Sequence, residues 1–409
     1  EPAASIGGMF MPPIMGAGGF LMAELTDTPY SQIMLMAFFP AFIYFLSVYV
    51  MVHYEAKRYG LKPERDPNAP TAGQILKKQW FMALPLVIIV AMMLLGFSAG
   101  NAAFWATLSC IAVSWLTKDH RMGPKQIAEA MLDGARSTLV IGATVGVIGM
   151  IVGSIALTGI GLRFSEIIIS LSGGSLVGAI LLVGIASLVL GMGVPVTAAY
   201  LITAVLAVPA LSGLIEAGVP GGAESLAAAE VAKWALLSSH MIVYWFSQDS
   251  NITPPVCVAA YAGAAIAGAD PWKTGWTSFK FAKMLYMGPL LFAFAPGFLL
   301  HGSWDQIAFA WGTIILGTIA FGALTMGYML CPMTIIEWLV MASATTLLFF
   351  PYVIAFHDAV PRVVADVLGI GLWVAVYFLQ KLRIKRNPEL TMSIDERRRR
   401  RQAEKAAPA

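Results

Sequence analysis

The sequence predicts an all-α integral membrane protein with a re-entrant hairpin and discontinuous helices, and three observations predict it. Of its 409 residues 58% are hydrophobic and 12% charged, with a mean hydropathy of +0.76, a make-up outside that of soluble globular domains. The apolar residues gather into runs close to the roughly 20 that cross a bilayer as a helix. Three runs are interrupted near their middle, by Met11-Pro12-Pro13, by Gly191-Met192-Gly193-Val194-Pro195 and by Thr253-Pro254-Pro255. Proline lacks a backbone N–H and its ring clashes with the carbonyl one turn back, so a proline pair ends a helix. Hydrocarbon offers no water to the freed groups, and the break survives only where protein, water or an ion takes them up.

In chain order, single spans are predicted over 31–52, 81–99, 101–117, 137–157, 285–300, 304–324, 332–350 and 366–380. Residues 123–135, with Ile127, Ala130 and Met131 on one side, predict a short surface helix leading into a span. Two longer regions resist that treatment. Residues 176–211 form two apolar arms of about 15–17 residues around the Gly191 turn, each short for a crossing, and predict a re-entrant hairpin. Residues 231–268 have two arms meeting at 248–255, either a second hairpin or one interrupted crossing.

Lys and Arg collect on the cytoplasmic side, and the basic loops decide between these. Lys57, Arg58, Lys62, Arg65, Lys77 and Lys78 follow the first span; Lys118, Arg121, Lys125 and Arg136 precede the fourth. With both clusters inside, a single crossing by 231–268 also brings Lys273, Lys280, Lys283 and the Arg397–Arg401 run inside, whereas a hairpin puts them outside. The expected organisation is therefore the end of a first inverted repeat over 1–55, basic loops and a helical hairpin over 56–136, a second repeat over 137–300, further spans over 301–386, and a charged, unstructured cytoplasmic tail over 387–409. The hairpin that would complete the first repeat is expected upstream of Glu1, the chain opening without a methionine or a signal peptide. Cys110, Cys257 and Cys331 lie in separate apolar segments without metal-type spacing and read as buried small residues.

A helix break in each half is the mark of a secondary transporter's binding site. Unwound backbone at Gly191, Met192, Gly193 and Pro254 exposes carbonyl oxygens, and Thr197, Ser250, Asn251 and Thr253 add side-chain oxygens, an all-oxygen set suited to a hard cation such as sodium. Half-helix N-termini at the same place favour an anionic substrate. Asp249 is an acid inside a membrane segment, where charge is costly and faces a cavity or a partner; it could hold a cation, carry a proton, or simply cap the break. Gln248 stands beside it, and Tyr200 lies just beyond the hairpin turn, where its hydroxyl could reach substrate or merely pack. His240 is equally a packing residue or a proton relay. Glu24 and Glu337 read as structural, and Arg163 with Glu166 as a pair on one helix face. No Gly-x-Ser-x-Gly, P-loop or His-Glu-x-x-His is present, which disfavours hydrolytic or ATP-driven chemistry. The alternative from another class is an intramembrane enzyme using Asp249 and His240 as acid and base.

Three stretches, Ser5-Ile6-Gly7-Gly8 through Pro12-Pro13-Ile14-Met15-Gly16, Leu190 through Pro195 to Ala198-Ala199-Tyr200, and Asn251 through Val256 to Ala259-Ala260-Tyr261, resemble in order the large membrane (M-type) subunit of tripartite ATP-independent periplasmic (TRAP) transporters, and in particular the fused permeases that work with TAXI-type binding proteins. The resemblance extends from the first residue to about residue 300. It implies an elevator-type, multi-pass transporter of the bacterial inner membrane, with a periplasmic binding protein delivering organic anions, a gradient of Na+ or H+ driving uptake, and a small four-helix Q-type subunit, separate or fused. No cofactor and no nucleic acid are expected; membrane lipid is. It also implies one cation site between the Gly191 tip and the Thr253 break, and half of another at Gly7, Gly8 and Pro12. A stand-alone sodium–carboxylate symporter of related architecture is the alternative within transporters. Two departures from the family pattern stand out: the polar run Gln248 to Asn251, and the lack of an unpaired Arg in the central motifs to anchor a carboxylate.

Overall fold

In the computed structural model, residues 1–61, 69–116, 121–218, 228–350, 362–394 and 396 are described. Among them the regular structure is helical, with a lone bridge between Tyr328 and Pro332. The elements are α1 (Pro2–Ile6), α2 (Gly16–Leu25), α3 (Tyr30–Tyr59), α4 (Ala72–Gln79), α5 (Leu84–Leu94), α6 (Ala99–Ser114), α7 (Pro124–Thr158), α8 (Ile160–Leu171), α9 (Leu176–Gly191), α10 (Val196–Ala217), α11 (Ala228–Phe246), α12 (Val258–Ala267), α13 (Pro271–Phe281), α14 (Met284–Phe294), α15 (Trp304–Met326), α16 (Ile335–Phe349) and α17 (Arg362–Arg386). Six helices among the described residues are long and apolar enough to cross a membrane: Tyr30–Tyr59, Ala72–Leu94, Pro124–Thr158, Val196–Ala217, Trp304–Met326 and Val363–Arg386.

Several expectations are corrected. The surface helix over 123–135 and the span over 137–157 are one 35-residue helix, α7, because nothing between Pro124 and Ser137 removes a backbone donor and the i→i−4 ladder runs on. The span over 285–300 is cut short: α14 has 11 residues, only about 16 Å at 1.5 Å per residue, and Pro296 then opens a separate 3-10 turn. The hairpin over 176–211 is present as α9 and α10, yet its second arm is 22 residues long, enough to cross. The tail is not unstructured where it is described: Pro388–Thr391 form a 3-10 turn, Ser393 and Glu396 exchange hydrogen bonds of 2.8 and 3.1 Å, and Ser393 abuts Gly60, where a Cβ would lie 2.6 Å from its own. Lys62, Arg65, Lys118 and the Arg397–Arg401 run lie outside the described residues.

The core gathers around α3, α11 and α14. Phe10, just before the first proline pair, stacks on Trp245 at 4.5 Å and meets Tyr44 edge-on at 4.8 Å, while Trp245 meets Phe292 edge-on at 5.0 Å. Gly288 makes this close approach of α14 to α11 possible, since a Cβ there would fall 2.4 Å from the Trp245 ring. α15 covers the opposite side of α3, with Phe39 stacked on Trp311 at 4.0 Å, and α16 and α17 pack beyond it. There Glu337, 3% exposed, is held by Arg383 and the Thr334 N–H, and Gln380 accepts from the N–H of Leu330 and Cys331 at 2.9 and 3.3 Å. Such a buried charge persists only when paired and hydrogen-bonded.

Candidate functional site

The two proline breaks are built alike, and one constant offset along the chain superposes them element by element. Each follows a three-residue 3-10 turn, Gly7–Met9 or Asp249–Asn251, and each leads into a ten-residue helix, α2 or α12. The Met15 N–H bonds to the Met11 carbonyl at 3.3 Å and the Cys257 N–H to the Thr253 carbonyl at 3.2 Å. Met15 and Cys257 both take positive φ, 48° and 26°, and the Pro12-Pro13 and Pro254-Pro255 bonds are both cis. α1 lies on α12, where a Cβ at Gly263 would come within 3.0 Å of Pro2. α2 meets α11, where a Cβ at Gly18 would come within 2.4 Å of the Tyr244 ring. The half before one break thus faces the half after the other, which makes the broken segments antiparallel.

Tyrosine hydroxyls engage polar groups at both breaks, three of them reaching from outside the broken segment they serve. At the first, the Tyr30 hydroxyl lies 2.7 Å from the Pro13 oxygen and 3.1 Å from that of Ile14, and the Tyr244 hydroxyl reaches the Met9 and Met15 oxygens. At the second, Tyr261 donates to the Pro255 oxygen at 2.7 Å, and the Tyr286 hydroxyl pairs with that of Thr253. This is the internal satisfaction that hydrocarbon demands of broken backbone. Sequence reasoning missed Tyr30, Tyr244 and Tyr286, which carry no local signal because their partners are distant in the chain.

The hairpin tip and the second break touch. A Cβ at Gly191 would lie 2.9 Å from Ser250 Oγ, so the contact is open only to glycine. Met192 and Gly193 are exposed, the latter at φ 79°, and Thr197 is half-buried at the start of α10. Asn251 is half-buried and Thr253 nearly buried. Gln248 and Asp249 are 0% and 1% exposed, and among the described residues their side-chain oxygens and the Gln248 amide nitrogen have no hydrogen-bond partner. Asp249 and Thr253 instead border a partly open cavity of about 280 Å³, lined also by Gly184, Phe246, Phe279 and Tyr286. An isolated carboxylate buried in this way is costly unless a cation stands beside it or a proton sits on it.

The other candidates fall differently. Tyr200 is fully buried with its hydroxyl 2.8 Å from His240 Nδ1, a link between α10 and α11 in which the histidine tautomer decides which group donates. Asp249 is not a partner of His240, and the acid–base pair of the enzyme alternative is not formed. At the first break Gly7 is packed under Phe45, whose ring a Cβ would meet at 2.7 Å, while Gly8 faces open space; Pro12 sits between them and the α2 N-terminus. Arg163 pairs with Glu166 at 3.1 Å on an exposed face of α8, and Glu24 is exposed.

The geometry is that of two antiparallel broken segments with a hairpin tip seated on one of them. Residues 1–298 match the family model described as tripartite ATP-independent periplasmic transporter, DctM component. No curated protein and no solved structure gives a significant match. Spanning both breaks, the hairpin and every helix through α14, the match shows that the chain belongs to the DctM component family, the large membrane component of TRAP transporters.

Proposed function

We propose that this chain is the permease of a TRAP-type secondary transporter that takes up a small organic anion of the carboxylate class together with a cation. The supporting observation is the unpartnered Asp249 carboxylate, held at the cavity where the second break meets the hairpin. An empty-handed acid in that position needs a positive charge during part of the cycle, and Na+ among the carbonyl and hydroxyl oxygens of Gly191, Met192, Gly193, Thr197, Asn251, Thr253 and Pro254 is the favoured ion. A proton on Asp249 is the alternative.

The substrate reading rests on helix ends. α10 and α12 both start at this junction, and their N-termini present positive dipole ends and free N–H groups to an anion. These can stand in for the arginine that the central motifs lack, with Tyr200 and the polar run Gln248 to Asn251 as candidate substrate contacts. The antiparallel breaks support a reading as inverted repeats, with Gly7, Gly8 and Pro12 as half of a second cation site. The two repeats would move as an elevator. A TRAP periplasmic binding protein and a small membrane subunit are family partners; that the binding protein is TAXI-type, the subunit fused, the membrane the bacterial inner one and the C-terminus cytoplasmic belongs to the proposal.

Reconstitution of the complete protein in proteoliposomes with its binding protein, imposing Na+ and H+ gradients separately, tests the reading. Accumulation driven by one gradient and lost in Asp249→Asn supports it. Uptake indifferent to both gradients overturns it.

A further inference from the structure

α13 is a short helix with two unlike faces. Its buried positions, Gly275 and Ser278, turn inward, and Gly275 sits directly on the second break, where a Cβ would lie 2.7 Å from Cys257 Sγ and 3.3 Å from Pro254. Outward are Trp272 and Trp276, one turn apart, 52% and 50% exposed, meeting edge-on at 6.0 Å. The aromatic contacts continue inward from Trp276 to Phe279 at 5.8 Å and from Phe279 to Tyr286 at 5.4 Å, and Tyr286 closes on Thr253. An exposed surface is thus joined to the break by two routes.

Lysines outnumber acids on and beside this helix, Lys273, Lys280 and Lys283 against Asp270, which caps the first turn, and Glu55. Lys280 is spent on Glu55, 3.2 Å away, a contact that also places α13 beside the C-terminal end of α3, where Lys57 and Arg58 stand. Lys283 lies over the Phe279 ring at 4.8 Å. Lys273 is exposed, and among the described residues no acid pairs with its ammonium. Tryptophan settles at the boundary between headgroups and acyl chains, with one end of the ring apolar and the other wet. Lysines beside such rings extend to the phosphate layer, and each is worth about 1 kcal/mol against an anionic leaflet, or roughly fivefold in occupancy.

We propose that α13 is a binding site for anionic phospholipid headgroups, with Trp272 and Trp276 at the acyl boundary and Lys273 and Lys283 on the phosphate, and that the bound lipid holds α13 down on Pro254 and Cys257. Occupancy depends on the lipid and not on transport, so the site can fail or stand independently of the coupling ion.

The test uses the full chain in nanodiscs, comparing brominated phosphatidylglycerol with brominated phosphatidylcholine as quenchers of tryptophan fluorescence. The wild type should be quenched more by the anionic lipid, and Trp272→Phe with Trp276→Phe should remove that excess. In Lys273→Gln with Lys283→Gln, which keeps the rings, the excess should need an order of magnitude more anionic lipid. Equal quenching by the two lipids, an excess that survives loss of both tryptophans, or its removal by millimolar inorganic phosphate would overturn the proposal. The clamp is read separately from maleimide labelling of Cys257 in a Cys110→Ala, Cys331→Ala background: phosphatidylglycerol should slow it several-fold, and a rate equal in both lipids overturns that part.

Discussion

Gly191 and Ser250 stand against each other across the two central motifs, with room between them for a hydrogen and not for a methyl group. The hairpin tip is thereby seated on the helix break by a contact that neither motif would make alone. Gly191→Ala should push the tip off and cost about 1–3 kcal/mol, the usual penalty of overpacking. Ser250→Gly, which removes both atoms the new Cβ would meet, should restore most of the melting temperature in the double variant. A double variant no more stable than Gly191→Ala would show that the two do not share this contact.

Asp249 and a well-packed acid would behave oppositely on neutralisation. Asn at 249 keeps the shape and removes a charge that has no partner, so its thermal stability in detergent, without substrate or added Na+, should equal or exceed the wild type's. Ala, by contrast, should lose stability by opening the cavity further. A clear fall in melting temperature for Asp249→Asn would mean that the carboxylate is paired in the folded protein.

Local chemistry made part of this fold legible. Pro12-Pro13 and Pro254-Pro255 broke helices because the missing N–H acts at the residue itself, and Asp249 stood out because an acid is rare among apolar neighbours. What decided the rest was contact between residues far apart in the chain. The Tyr200 hydroxyl, available to a substrate when only its own helix is considered, is engaged by His240; Glu337, near the helix end as its position suggested, is buried there because Arg383 reaches it; α14 stops short because Pro296, with no N–H to donate, follows it. The sequence grouped the Gly191 tip with the second break, but that the glycine there packs directly against Ser250 is set by tertiary contact and carries no local signal.

Tyr244 bridges two carbonyls, those of Met9 and Met15, that flank the first break. A phenol has one proton to donate, so Tyr244→Phe orphans at least one buried oxygen, at about 1–3 kcal/mol. Tyr30→Phe acts on the neighbouring carbonyls of Pro13 and Ile14, and the two losses should exceed their sum when combined, since either hydroxyl alone still pins the same loop. Strict additivity in chemical or thermal unfolding would indicate that the tyrosines anchor separate structures.

Glu337 and Arg383 lie beyond residue 298, outside the stretch shared with the family. Removing one member of a buried pair leaves the other uncompensated, at roughly 3–5 kcal/mol, and Arg383, with 31% of its side chain exposed, recovers some of this from water. Glu337→Ala should therefore destabilise the chain by an amount near the lower end of that range. Glu337→Gln, still able to accept from Thr334 N–H, should cost less. Because among the described residues α16 and α17 pack chiefly on each other and on α15 rather than on the broken segments, uptake per folded molecule should stay near wild type in both variants while the yield of folded protein falls. A loss of specific uptake at full folding would place the C-terminal helices within the transport mechanism itself.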